Sequence, residues 1–239
     1  MVNPQNPLYL TALTVIANIL IHLWLILPCS LYGKEMPMAT NDSQSLLDSL
    51  LFTAENKWGI DKEQILENMN KIAFHESKNV VNAVQKIKPE FETGGVGKGR
   101  GLYQFEVGKG EGANTALNRL LDELNVRNLP FPSFAKEMKG LERQNRNVNA
   151  WKSSGYDVAT LPKEAQQLLF LGNLLQKPKA QEGYVPSSFA GVDTDEELAH
   201  YWAQHHQAGT EPGTPEYKEL INKFLLDLQE GYRKKLIDK

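Results

Sequence analysis

Ile65, Met69, Ile72 and Glu76 fall at i, i+4, i+7 and i+11. On a helix, the carboxyl of Glu76 therefore continues an apolar stripe and lies near the C-terminal end. Both features favour the protonated acid. Desolvation disfavours the carboxylate, and the negative end of the helix dipole repels it. A carboxyl that keeps its proton near neutral pH is what a general acid needs to cut a glycosidic bond. The plain alternative is that Glu76 ends the helix and reaches water past a frayed last turn. A Gly-rich stretch, GGVGKGRG, follows and leads into GLYQFE. Glycines there permit tight turns and close backbone approach. At the end of that loop, Gln104 can both donate and accept hydrogen bonds, to a carboxyl or to a sugar N-acetyl group. The face of Tyr103 could stack on a sugar ring, or Tyr103 and Phe105 could be core residues of a strand.

Several other motifs do not hold. His75-Glu76 begins the zinc signature HExxH, but the second histidine position is Asn79. His205 and His206 are adjacent and point in different directions on a helix, so they chelate poorly. GGVGKGRG is not a phosphate-binding P-loop, because Gly97-Lys98 is followed by Gly99. No βαβ pattern surrounds it to suggest a dinucleotide fold. Cys29 is the single cysteine, which excludes an intrachain disulfide framework and a cysteine zinc cluster. With 26 Lys+Arg against 29 Asp+Glu, the chain lacks the basic excess of a nucleic-acid wrapper. Lys98, Arg100 and Lys109 form a modest basic spot, either solvated loop charge or an attraction for an anionic polymer.

The elements that must position Glu76 are mainly helical. Asn41, Asp42 and Ser43 offer caps for a helix through SLLDSLLFTAENKW, and Asp61 caps the helix that carries Glu76. Residues 80–106 read as a short hairpin or small sheet. Helical spacing returns at Ala113, Ala116, Leu117, Leu120, Leu121 and Leu124. A weaker helical pattern lies around FAKEMKGLERQ, and Pro162 opens PKEAQQLLFLGNLLQ. Thr194 and Glu197 form a capping box for a helix with Leu198, Tyr201, Trp202 and His205. Thr214 and Pro215 start a last helix with Tyr217, Leu220, Ile221, Phe224, Leu225 and Leu228 on its buried stripe. The fold class expected is α+β, mainly helical, with a small β-hairpin after the Glu76 helix.

The 239 residues divide into an apolar leader, 1–39, and one domain, 40–239. Leu8 to Leu27 holds twenty residues without a charge, about enough to cross a bilayer core. Three readings stand: a true start further along, near Met36 or Met38; a membrane anchor; or a cleaved signal, which lacks a basic n-region. A membrane partner is expected only if 8–27 is an anchor.

FHES at Phe74–Ser77 followed by GLYQ at Gly101–Gln104 resembles the paired motifs of soluble lytic transglycosylases, a lysozyme-like family. The longer string GRGLYQFE, with GANTALNRLL after it, is most similar to peptidoglycan-cleaving domains of bacteriophage virion proteins. The resemblance spans roughly Asn41 to Gly209 and implies a lysozyme-like fold. It implies Glu76 as general acid/base, Ser77 as the neighbouring hydroxyl, and Gly101, Leu102 and Gln104 as the second motif. The family's late aromatic-Asn-x-Gly motif is replaced by YWAQHHQAG, where Trp202, His205 and His206 are candidates for sugar stacking and hydrogen bonding. The implied reaction cleaves the β-1,4 bond between N-acetylmuramic acid and N-acetylglucosamine without metal or cofactor. One carboxyl protonates the leaving oxygen, then draws the proton from the sugar's 6-hydroxyl as an anhydro ring closes. A hydrolysing lysozyme would instead need a second carboxylate about 5–9.5 Å away. Glu90, Glu92 and Glu106 are the candidates, so the hydrolase stays open. The expected partners are peptidoglycan strands and other virion proteins, in a phage particle or at the bacterial envelope. The non-enzymatic alternative is a glycan-binding or structural virion domain that kept the cleft.

Overall fold

The chain divides into two compact units, Met1–Met38 and Ala39–Lys239. The computed structural model describes residues 40–86, 96–106, 112–136, 138, 158–176, 189–206 and 210–232, all in the second unit. The leader and its apolar run lie outside them. Among the described residues no helix is long and apolar enough to cross a membrane.

Helix α1 (Thr40–Trp58) is followed after a short turn by α2 (Lys62–Ser77). Three short strands come next: β1 (Val84–Lys86), β2 (Val96–Arg100) and β3 (Phe105–Glu106). They form one antiparallel sheet in the order β1-β2-β3, with Val84 opposite Arg100 and Gly99 opposite Glu106. Helix α3 (Gly112–Val126), a 3-10 turn (Val158–Thr160), and helices α4 (Lys163–Leu175), α5 (Asp195–His206) and α6 (Pro215–Asp227) complete the order. A π-helical turn, Leu228–Tyr232, continues α6. The architecture is mainly helical with one small sheet, as an α+β reading requires. A third strand extends the expected hairpin.

Helix α4 organises the core. It is buried along nearly all of its length from Ala165 to Leu175 and packs against both α1 and α3. Its sequence, KEAQQLLFLGNLL, is apolar on most sides after the first turn, the pattern of a helix enclosed by others. Gly172 permits the approach of α3, since a Cβ there would lie 2.9 Å from the Leu120 Cα. Lys57, at the end of α1, donates to the terminal carbonyl of Leu175 at 2.8 Å.

Two of the expected caps, at Thr194 and Thr214, hold, whereas Asn41, Asp42 and Ser43 lie inside α1, which already begins at Thr40. Thr194 Oγ1 accepts from the Glu197 N–H at 3.2 Å, while Glu197 Oε2 accepts from the Thr194 N–H at 2.9 Å. The Asp193 N–H, the Thr194 hydroxyl and the Thr194 N–H all donate to this carboxylate and hold it below its usual range. Thr214 caps α6 through the Tyr217 N–H. Asp61 occupies the N-cap of α2 but makes no side-chain cap bond. Pro162 sits one place earlier than a first helical residue, at the N-cap of α4. Of the segment FAKEMKGLERQ, residues 134–136 and 138 are helical and the rest lies outside the described residues.

Candidate active site

Glu76 occupies the last turn of α2 and is half-buried. The helix stops immediately beyond it. Lys78 and Asn79 both take left-handed backbone angles, φ 57° and 62°. Their N–H groups return to Phe74 O and Ala73 O, closing the helix with a paired C-terminal bond pattern. The Ser77 hydroxyl donates to Ala73 O at 2.9 Å, so it is spent on the same helical turn.

Trp202 crosses from α5 to meet the acid. Its indole Nε1–H donates to Glu76 Oε1 at 2.7 Å. Burial raises the Glu76 pKa, while the indole N–H and the positive charge of Lys223 on α6 pull it back. Desolvation therefore prevails over the groups that favour the carboxylate. Trp202 itself is only 2% exposed. It is not a sugar-stacking platform, because its ring is enclosed by His75, 4.3 Å away and edge-on, and by Phe224 at 5.4 Å.

His75 sits between these aromatics and the last helix. Its ring lies 4.8 Å from Phe224, and its Nδ1 lies 2.8 Å from Asp227 Oδ2. Burial pulls the His75 pKa down to about 4, overriding Asp227, which raises it; Lys78 and Lys223 add to the lowering. The imidazole is therefore neutral near pH 7. Asp227 also pairs with Lys78, so one carboxylate from α6 grips residues on both sides of Glu76.

Helix α5 is braced at several points. At its first turn, Asp195 meets Lys71 of α2 at 2.8 Å, and Lys71 reaches Glu67 at 2.9 Å. Burial works against the Lys71 charge, but the two carboxylates outweigh it and hold its pKa above the usual value. Further along, His200 Nδ1 and Gln204 Nε2 lie 2.9 and 3.2 Å from the Tyr217 hydroxyl of α6. Trp202 thus reaches Glu76 from a helix fixed on two sides.

The Gly101–Gln104 segment forms the turn between β2 and β3. Gly101 has φ 71° and Gln104 φ 47°, so both ends are left-handed. Gly101 O accepts from the Gln104 backbone N–H at 3.3 Å and from its side-chain amide at 2.9 Å. The Gln104 amide N–H group is therefore used inside the turn. Gly101 N donates to Ala83 O at 2.8 Å, tying the turn to the loop that leaves α2.

Tyr103 corrects the stacking expectation. Its ring is 3% exposed and lies parallel to Phe170 at 4.0 Å, so its face is covered by α4 and unavailable to a sugar. Burial pushes its phenol well above the usual value. The core alternative holds for Tyr103 and for Phe105, whose ring also meets Phe170 edge-on. Arg100 is likewise no solvated loop charge: it is fully buried and donates to Gly99 O at 2.8 Å. Glu106 is exposed on β3 opposite Gly99. Glu90, Glu92 and Lys109, and the side chains of Lys98, His205 and His206, lie outside the described residues.

Gln166 is the residue that sequence reasoning missed. It is fully buried on α4, accepts from the Leu102 N–H at 2.7 Å, and donates to Val81 O and Leu161 O at 2.9 and 2.8 Å. It joins the post-α2 loop, the β2–β3 turn and the start of α4 at one point. A Cβ on Gly101 would lie 2.2 Å from its Oε1, which is why that turn begins with glycine. The signal was present: two adjacent glutamines interrupt an otherwise apolar helix. The second, Gln167, donates to Asn70 of α2 at 3.3 Å.

Two shallow depressions elsewhere, of 790 and 420 Å³, are lined chiefly by α1 residues with Arg127, and contain none of the candidate residues. No family model matches this chain, and neither the curated proteins nor the solved structures contain a match.

Proposed function

We propose that this protein is a peptidoglycan lytic transglycosylase with a lysozyme-like domain and Glu76 as its general acid/base. The observation that carries the reading is the state of Glu76: a carboxyl at a helix end whose pKa is raised by burial and which one indole N–H holds. Such an acid keeps its proton closer to neutrality than an exposed glutamate does, and can protonate a leaving glycosidic oxygen. The surrounding backbone supports a site as well. Among the described residues, Gln104 of GLYQ takes a left-handed φ, and Lys78 and Asn79, just beyond FHES, do so in the cap that closes α2. Left-handed backbone at a non-glycine residue such as Gln104 costs of order 1–3 kcal/mol and concentrates at functional sites.

In the proposed cycle, Glu76 gives its proton to the oxygen leaving N-acetylmuramic acid. The resulting carboxylate then takes the proton of the sugar's 6-hydroxyl as that oxygen attacks the anomeric carbon. No water is consumed, and the acid is restored. The setting proposed is a phage particle that opens the wall locally, or a bacterial envelope enzyme.

Digestion of purified peptidoglycan followed by mass analysis of the products tests this. Anhydro-muramyl ends support the lyase, reducing ends would make it a lysozyme-type hydrolase, and intact glycan would leave a binding or structural domain. Glu76→Gln is expected to lower turnover by roughly a hundredfold or more while the fold persists. Wild-type turnover in that variant removes Glu76 from the role.

A further inference from the structure

Resting on the reading of Glu76 as the acid, we infer that Trp202 is its positioning residue, and that the indole N–H fixes the carboxyl orientation from which the proton is delivered. The bulk of the ring alone would not do this. A glutamate side chain has three rotatable bonds, and ordering it costs conformational entropy. The N–H of Trp202 supplies a directional restraint, 2.7 Å from Oε1.

The donor is itself held. The indole is buried, flanked edge-on by His75 and in tilted contact with Phe224. Its helix is pinned by Lys71–Asp195 at one end and by the Tyr217 hydroxyl along its length. A donor on a rigid support costs no rearrangement when the proton moves, which is the condition for a preorganised site.

The indole also biases the protonation of Glu76. An N–H donor favours the carboxylate, as does Lys223 of α6, while burial favours the acid. His75 is neutral beside the indole, and Lys78 and Asp227 pair with each other on its far side. Removing the N–H therefore leaves burial less opposed and raises the pKa of Glu76.

The test compares the wild-type protein with Trp202→Phe, and with a form carrying benzothienylalanine at 202, in which sulfur replaces the N–H within the same ring outline. Turnover and KM on purified peptidoglycan, their pH profiles, and the carboxyl ¹³C titration of Glu76 are measured for each. The expected result is a fall in kcat of about tenfold or more, from the loss of a hydrogen bond to a charged group. KM should change by less than about twofold, because the indole is 2% exposed and offers no open face to a substrate. The alkaline limb of the kcat profile and the Glu76 carboxyl titration should both move to higher pH. If both variants keep wild-type kcat with an unmoved limb and an unmoved titration, the inference is wrong while the acid assignment stands. If the wild-type protein leaves peptidoglycan intact, the proposed function falls, and this inference with it. Where Trp202→Phe melts out, the benzothienyl form decides.

Discussion

Acid should weaken this fold through His75 in a way that can be isolated. The folded-state pKa of His75 is about 4, against 6.5 for an unperturbed histidine. Between those values the unfolded chain holds a proton that the folded protein does not. Stability therefore rises with pH across that window and is lost as pH falls from about 6.5 towards 4. The difference of 2.5 units, at 1.36 kcal/mol each, amounts to about 3 kcal/mol. The side chain is only 6% exposed, so solvent screening removes little of this. Glu76 acts in the opposite sense. Its folded pKa is raised, so its contribution is complete below its unfolded value and fades as pH rises through the folded one. Urea unfolding between pH 4 and 7 for wild type, Glu76→Gln and His75→Phe separates the two. Phenylalanine keeps the ring against Trp202 and Phe224 and removes the titration. Wild type should lose stability on acidification, Glu76→Gln more steeply, and His75→Phe markedly less steeply than either. Equal slopes for wild type and His75→Phe would refute the reasoning, because they would show that His75 does not resist protonation in the fold.

Four further outcomes are expected. Gln166→Met should destabilise by about 3 kcal/mol or more, since Leu102 N–H, Val81 O and Leu161 O lose their partner together; denaturant midpoints measure it. Gly172→Ala should cost about 1–3 kcal/mol, read by thermal melting, because the new methyl meets the Leu120 side chain and backbone below 3 Å. Glu76→Gln should abolish glycan cleavage with the melting temperature retained. Trp202→Phe should lower kcat and move its alkaline limb upward.

Much of the fold was legible because its signals are local. The capping box at Thr194 and Glu197 acts within one helical turn, and the apolar spacing of α3 and α6 needs no partner to be read. Glu76 was legible for the same reason: its place on the Ile65–Met69–Ile72 stripe is a matter of period. Tyr103 was not. A tyrosine next to a glycine-rich loop reads equally as a ligand platform or as core, and the choice was made by Phe170, sixty-seven residues later in sequence. Arg100 failed similarly. A guanidinium among glycines looks solvated, yet in the fold Arg100 is fully buried. The stacking expectation for Trp202 failed because nothing in YWAQHHQAG says that its indole edge meets a residue 126 positions earlier.

Under the proposed function, that long-range contact would let one carboxyl serve both halves of a transglycosylase cycle. An acid raised by burial alone gives its proton readily only while protonated, and its carboxylate is a costly species to leave in an apolar wall. The second half-reaction requires that carboxylate to exist long enough to take a proton back. A donor aimed at Oε1 stabilises it, and so does the positive charge of Lys223, at the moment when the leaving group has departed. Burial and donor thus act on different stages: the first favours the acid before bond cleavage, the second favours the base after it. General acid–base catalysis works best when neither form is far from the operating pH. On this argument, removing Trp202's N–H slows ring closure more than bond protonation. Oxocarbenium-derived side products, above all water-captured reducing ends, should therefore rise in the Trp202→Phe digest relative to anhydro ends, and an unchanged product ratio would show that the donor orients the acid without supporting its conjugate base.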